Sequence, residues 1–314
     1  MTTTIPMLPE EAAAAAGDGR PGRGRWRGRG GSRGRGRWRV LLRTPGRVFG
    51  VTVIAVFALM AIIGPYLYPA SLPIDPGAIY ASPSLAHPLG TDFEGTDVLA
   101  LIVTGARYVL LSAVIAAVVM VVVGAAAGIT AGYFRGPPDS IIMRVTDLVL
   151  TIPGFPLLIV LSTVWDFGSP YAMGLVLGIF GWGGLARAVR SQTLSLRERG
   201  FLEAARGLGL PARHIVLREV APNVAPYVAM NLLLSVTGAI YAETGLFFLG
   251  VVPFNAGNWG VMLNIAVFSA GAVTSPQALT YLLSPLVCIL ALTLAIVVML
   301  NAVDEWFNPR LREP

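Results

Sequence analysis

Runs of apolar residues, each long enough to matter, alternate with polar segments along most of the chain. Six such runs stand out: residues 48–69, 108–133, 141–165, 171–189, 227–251 and 281–303. A bilayer crossing by a helix takes ~20 apolar residues. The pattern therefore predicts an all-α polytopic membrane protein with six transmembrane helices. Pro153 and Pro156 lie inside the third run and predict a kink there. In the second run Gly124, Gly128 and Gly132 recur every fourth residue, which places them on one helix face for close helix packing. The polar segments divide the chain further. Residues 1–46 form a tail, 47–107 a first span with an outer segment, 108–303 a core of five spans, and 304–314 a short end. Residues 252–280 are polar yet almost uncharged and are expected to hold a short re-entrant or surface helix.

Composition narrows the chemistry. The chain has 314 residues, of which 55% are hydrophobic and 13% charged, and its mean hydropathy is +0.70. Soluble domains carry roughly 25% charged residues. All 23 basic residues are arginine. Without lysine there is no standard phosphate-binding P-loop and no Schiff-base nucleophile. Two histidines far apart, His87 and His214, and the single Cys288 offer neither a disulfide nor a structural zinc set. No metal site and no cofactor are expected on this chain, and it is not expected to be an enzyme. If ATP drives it, another chain supplies the ATPase.

The arginines also set the orientation. Eleven of them lie in residues 1–47, mostly in a Gly/Arg-rich stretch between Gly17 and Arg39. That stretch has nothing to fold around and is expected to be disordered. Its start is acidic and rich in alanine, unlike a signal peptide. Arginine runs before a span hold it on the cytoplasmic side and contact anionic lipid; Arg-Gly segments elsewhere bind RNA, but no specific nucleic acid is expected here. With the tail inside, Arg135, Arg190, Arg197, Arg199, Arg206, Arg213, Arg218, Arg310 and Arg312 also fall inside, and of the outer segments only the edge residue Arg107 is basic. Both termini are therefore expected in the cytoplasm.

The inner segment 190–226 carries the most chemistry. Residues 196–208 are expected to form a helix, Gly209 to turn the chain with a positive φ, Pro211 to open a second helix, and Pro222 to stop it before the fifth span. This hairpin mixes Glu203 and Glu219 with its arginines. A purely lipid-bound hairpin is more uniformly basic, so a docking protein is expected on it.

Glu203-Ala204-Ala205, followed by Gly209 and later Pro222, resembles the EAA motif of ABC importer permeases. Glu219 and Ala221 stand where that motif has isoleucine and leucine. Further segments resemble the C-type permeases of dipeptide, oligopeptide and nickel importers. These are His87-Pro88-Leu89-Gly90-Thr91-Asp92 with Gly105-Ala106-Arg107, Ala131-Gly132-Tyr133 with Asp139 and Met143-Arg144, Ala242-Glu243 with Phe248-Leu249-Gly250, Trp259-Gly260, and Asn308-Pro309-Arg310-Leu311. The resemblance covers residues 40–312. It implies a multi-pass protein of the bacterial inner membrane that pairs with a B-type permease, two ATPase subunits holding ATP and Mg, and an extracytoplasmic solute-binding protein. It also implies that Glu203, Ala204, Ala205, Gly209, Pro211 and Pro222 form the coupling hairpin, with Glu203 facing an ATPase. The cargo it implies is di- or oligopeptide, with nickel chelate, haem or oligosaccharide as alternatives.

Ionisable groups within the spans mark function or tight pairing. Arg144 and Asp147, three apart, are expected to pair with each other near the inner surface. Glu243 is expected to find a hydrogen-bonding partner as a structural, gate or pathway group, and Trp259 to act as an interfacial anchor or gate residue. An ion-coupled transporter or channel is the competing class; it predicts more buried charge or an inverted repeat, and leaves the hairpin unexplained.

Overall fold

The computed structural model describes residues 44–69, 72–165, 167–252, 258–272 and 276–307. The Arg/Gly-rich tail up to Arg43 and the Asn308–Leu311 ending lie outside these residues. The described chain is helical apart from a largely irregular segment between the first two helices and shorter connections: α1 (Pro45–Leu67), α2 (Val98–Phe134), α3 (Gly136–Thr151), α4 (Gly154–Ser162), α5 (Pro170–Gly181), α6 (Gly183–Arg197), α7 (Gly200–Gly207), α8 (Ala212–Phe248), α9 (Trp259–Ser269) and α10 (Leu279–Phe307). Four helices, α1, α2, α8 and α10, are each long and apolar enough to cross a membrane; counting the bent pairs α3–α4 and α5–α6 as one crossing each makes six.

The boundaries differ from the expectation in instructive ways. The α2 helix begins at Val98, ten residues before the apolar run. Asp97 caps it, accepting from the N–H groups of Leu99 and Ala100, and Val98, Ala100, Leu101 and Ile102 are buried against the rest of the protein. The third run breaks by 74° between Thr151 and Gly154, at Pro153. The fourth run is not one straight helix either: it bends by 46° at Trp182, between Gly181 and Gly183. The α10 helix continues past residue 303 to Phe307, where Glu305 pairs with Arg47 of α1 and so ties together the two chain ends of the described fold.

The longest helix, α2, is the hub. It packs on α1, α5, α6 and α8. Its seam with α6 is built on absent side chains. A Cβ at Gly124 would lie 3.0 Å from the Trp182 carbonyl, one at Gly128 2.6 Å from the Ala186 carbonyl, and one at Gly132 2.6 Å from Thr193 Cβ. In lipid, where apolar surface gains nothing by leaving water, such backbone-to-backbone contact is what holds helices together.

Candidate coupling hairpin and buried carboxylate

The inner hairpin is built by two local signals. Gly209 has φ +71°, and Leu208 and Gly209 donate back to the carbonyls of Ala204 and Arg206, closing the end of α7. Pro211 then precedes the first turn of α8. The helix before the turn is shorter than expected. Residues 196–208 do not form one rod: α6 ends at Arg197, and a bend at Glu198 and Arg199 re-aims α7.

Pro222 does not stop the second helix, correcting the sequence expectation. The chain runs from Ala212 to Phe248 as one continuous helix, with a wide π turn over Ile215–Val220. In that turn the Ala221 N–H reaches back five residues to the Val216 carbonyl. The proline then enters the first turn of the following α segment, and Asn223 Nδ2 covers the Glu219 carbonyl at 2.6 Å. The hairpin is thus rigidly continuous with a membrane-crossing helix.

One face of α7 is anchored and the other is free. Leu202 and Ala205 are buried in a small apolar cluster with Val189, Ile215, Val220 and Val224. Glu203, Ala204 and Leu208 are exposed, Leu208 at 80%, and so are Phe201 and Leu217. Polar contacts hold the base. Arg206 donates to the Arg197 carbonyl at 2.6 Å, and Arg197 donates to the Tyr133 carbonyl at the end of α2 at 2.8 Å. Arg190 of α6 makes a two-pronged contact with Asp139 of α3 at 2.5 and 2.6 Å, a geometry only a guanidinium supplies.

The expected Arg144–Asp147 pair is not formed. Asp147 instead pairs with Arg187 of α6 at 2.7 Å. A partner three residues along the same helix competes with one on the facing helix, and the packing of α3 on α6 brings Arg187 to the carboxylate.

A second site lies deep in the protein. Glu243 of α8 is completely buried. Its Oε1 accepts from Asn258 Nδ2 at 2.8 Å, and its Oε2 contacts Ser112 Oγ of α2. Ser112 Oγ also lies 2.9 Å from the Tyr108 carbonyl, so its single proton has more than one acceptor in reach. Asn258 caps α9, with its Oδ1 accepting from the Gly260 N–H at 2.8 Å. The carboxylate thereby bolts three elements, α2, α8 and α9, together. Of the two roles expected of Trp259, burial speaks against the interfacial anchor. The residue is completely buried, its indole N–H donates to the Ile102 carbonyl at 3.1 Å, and its ring meets Phe57 edge-on at 5.5 Å. A tryptophan whose N–H finds a partner is at home in a core. Ser112 and Asn258 went unread in the sequence. Asn258 carries a capping signal directly ahead of Trp259, whereas a serine in an apolar run signals nothing.

The outer segment is compact. Asp92 is buried and accepts from the N–H groups of Glu94 and Thr96 at 2.9 and 2.8 Å. Burial nonetheless holds its carboxyl above the ordinary aspartate value, against the pull of those donors. Gly95, with φ +82°, lets the chain pass so close to residue 75 that a Cβ would sit 1.9 Å from the Asp75 carbonyl. Among the described residues, no group of three or more His, Cys, Asp or Glu side chains is placed to hold a metal ion.

Comparison with known proteins adds independent information. Residues 124–313 match the family described as "Binding-protein-dependent transport system inner membrane component". Residues 32–83 match the "N-terminal TM domain of oligopeptide transport permease C". The oligopeptide transport system permease protein OppC of Mycobacterium tuberculosis is 38% identical over 199 residues, which is 61% of this chain and 68% of the relative. The protein of the same name from Haemophilus influenzae is 32% identical over 231 residues, covering 72% of this chain and 74% of the relative.

Proposed function

This chain belongs to the family of binding-protein-dependent transport system inner membrane components, and we propose that it is the C-type permease subunit of an ATP-driven oligopeptide importer. It is a multi-pass inner-membrane protein and a non-catalytic subunit. Its six crossings are α1, α2, α3–α4, α5–α6, α8 and α10, with both termini and the hairpin in the cytoplasm. A B-type permease completes the pathway, two ATPase subunits bind ATP and Mg, and an extracytoplasmic solute-binding protein delivers the peptide.

One observation supports this most directly: α7 keeps Leu202 and Ala205 in the protein and offers Phe201, Glu203, Ala204 and Leu208 to the cytoplasm. Several exposed apolar side chains on one hairpin, Phe201, Leu208 and Leu217, beside a face fixed by buried side chains, suit a groove on another protein. In this reading α7 sits in an ATPase groove, with Glu203 among the docking contacts. ATP-driven approach of the two ATPases moves α7. The motion passes through Arg206 and Arg197 to the inner end of α2, and through the π turn directly into α8. Helices α2 and α8 carry Ser112 and Glu243, so the inner push reaches the outer half of the pathway along continuous helices.

The test is Glu203→Arg. It reverses one exposed charge, leaves the buried face of α7 alone, and is expected to leave membrane levels unchanged while abolishing uptake of a labelled tripeptide and weakening ATPase co-purification. Wild-type uptake with all subunits retained would refute the coupling role. Orientation is tested separately with single cysteines at Ser84 and Ser195 in a Cys288→Ala background. An impermeant thiol reagent on intact cells is expected to label the first position and not the second; the reverse pattern would refute the topology.

A further inference from the structure

We propose that the corner between α2 and α3 is a strained joint released by the coupling hairpin: Arg135 is held in a backbone conformation suited to glycine, relaxes when α7 moves, and so biases the transporter toward its alternate conformation. The inference rests on the reading of α7 as the coupling helix of an ATP-driven permease.

Two residues make the corner. The α2 helix ends at Phe134, and α3 begins at Gly136 with proline in its first turn. Arg135 has φ +54° and ψ −175°, and Gly136 has φ +64°. Glycine takes such angles freely, whereas in any other residue the Cβ crowds the neighbouring backbone. Gly136 is therefore at ease and Arg135 is not.

The conformation is imposed from both ends rather than by packing at the corner, where residues 134–138 are all exposed. On one side Tyr133 is buried and Gly132 lies against α6. On the other side α3 is fastened to the same helix, through the two-pronged Arg190–Asp139 contact and the Arg187–Asp147 pair. Pro137 and Pro138 stiffen the start of α3. With both helices fixed on α6, Arg135 and Gly136 alone complete the change of direction.

The same corner is tied to the base of the hairpin. The Arg135 guanidinium donates to Glu198 Oε1 at 3.2 Å, and Glu198 stands at the bend between α6 and α7. Arg197 reaches the Tyr133 carbonyl, and Arg206 of α7 reaches the Arg197 carbonyl. The Arg135–Glu198 pair is exposed on both sides, at 47% and 74%, and is too weak to hold a strained residue by itself. It serves as a link. A displacement of α7 acts on the end of α2 through Arg206 and Arg197, and on Arg135 through Glu198. When α6 follows, the clamp on α3 moves with it, Arg135 returns to a negative φ, and α3 is re-aimed. Arg135 is thus a positioning residue, and its strain sets how readily the transporter leaves this conformation.

The experiment compares Arg135→Ala with Arg135→Gly in the complete transporter, reconstituted in proteoliposomes. Both variants lose the guanidinium, and only glycine also loses the Cβ, so their difference isolates the strain. Relative to alanine, glycine is expected to raise the melting temperature of the complex by about 2 °C or more. It is also expected to slow ATP-driven peptide uptake by about fivefold, because the conformation it relieves becomes harder to leave. A merely structural role moves stability and turnover together, whereas here they move in opposite directions. A glycine variant that melts with or below the alanine variant would show that the corner holds no strain. One that melts higher yet transports as fast or faster would show that the strain persists through the cycle. Either result overturns the proposal. Failure of the underlying reading looks different: wild-type uptake is then independent of ATP, or Glu203→Arg leaves it untouched.

Discussion

The glycine seam between α2 and α6 allows a quantitative test. Replacing Gly128 by valine puts a Cβ 2.6 Å from the Ala186 carbonyl oxygen and 2.7 Å from Val189 Cβ. Carbon atoms settle at about 3.5–4.0 Å, so the two helices must part by about 1 Å or the chain must bend. Bending is hard, because Gly124 and Gly132 also make close contacts, at 3.0 and 2.6 Å, one turn to either side. A gap of that size forfeits a quarter to a half of each atom pair's attraction along the seam, and overpacking of this kind costs roughly 1–3 kcal/mol. Valine recovers only a few tenths of a kcal/mol of helix propensity over glycine. The expected net loss is about 2 kcal/mol, or roughly 4–8 °C in melting temperature at ~2–4 °C per kcal/mol. Gly184→Ala is the control, since nothing lies within 4 Å of its Cβ position, and it is expected to be neutral or slightly stabilising. The assay is thermal unfolding of the purified complex in mild detergent, with peptide uptake alongside. Uptake is expected to fall more than stability implies, because moving α6 also moves Arg187, Arg190 and Arg197, which anchor the hairpin side. A Gly128→Val complex melting with the wild type, or a Gly184→Ala complex losing as much, would refute the seam as the source of rigidity.

Three further outcomes are expected. Glu243→Gln keeps an oxygen for Asn258 Nδ2 and a group facing Ser112 and is expected to fold and transport, whereas Glu243→Leu strands the buried Asn258 amide and is expected to cost about 1–3 kcal/mol, read as a lower melting temperature and loss of protease resistance in α9. For Asp92 the sign follows from its raised value: the native state holds the proton more readily than the unfolded chain, so this contribution is full at acid pH and is lost as pH rises through the native value. Asp92→Asn is therefore expected to protect the Thr96 amide from hydrogen exchange better than wild type at alkaline pH, with the two converging as the pH falls below the native value of Asp92; equal protection across the whole range would contradict this. Gly209→Val, forced into a left-handed turn at about 1–2 kcal/mol, is expected to insert normally and lose uptake, measured against membrane protein level.

How much of this was legible in the sequence differs from feature to feature. The apolar runs located the membrane segments because a bilayer imposes a fixed length, and arginine placement predicted their orientation because charge crosses lipid poorly. The turn at Gly209 was readable because a positive φ is a local demand that one residue type meets. The bend at Trp182 was also present locally, in Gly181, Gly183 and Gly184, but an apolar run masks a break that keeps its residues apolar. The continuity of α8 through Pro222 was not readable, because it depends on a π turn that shifts the hydrogen-bond ladder past the proline. Tertiary structure alone decided the rest. Asp147 took Arg187 over Arg144, Trp259 sank beneath α2 to reach the Ile102 carbonyl, and Glu243 met Ser112, 131 positions away. Each of these choices turns on which side chains the helix packing brings within about 3 Å, the range in which a hydrogen bond forms. Helix packing here follows from glycines that let backbones touch, so the partners of the polar groups emerge only once the helices are assembled.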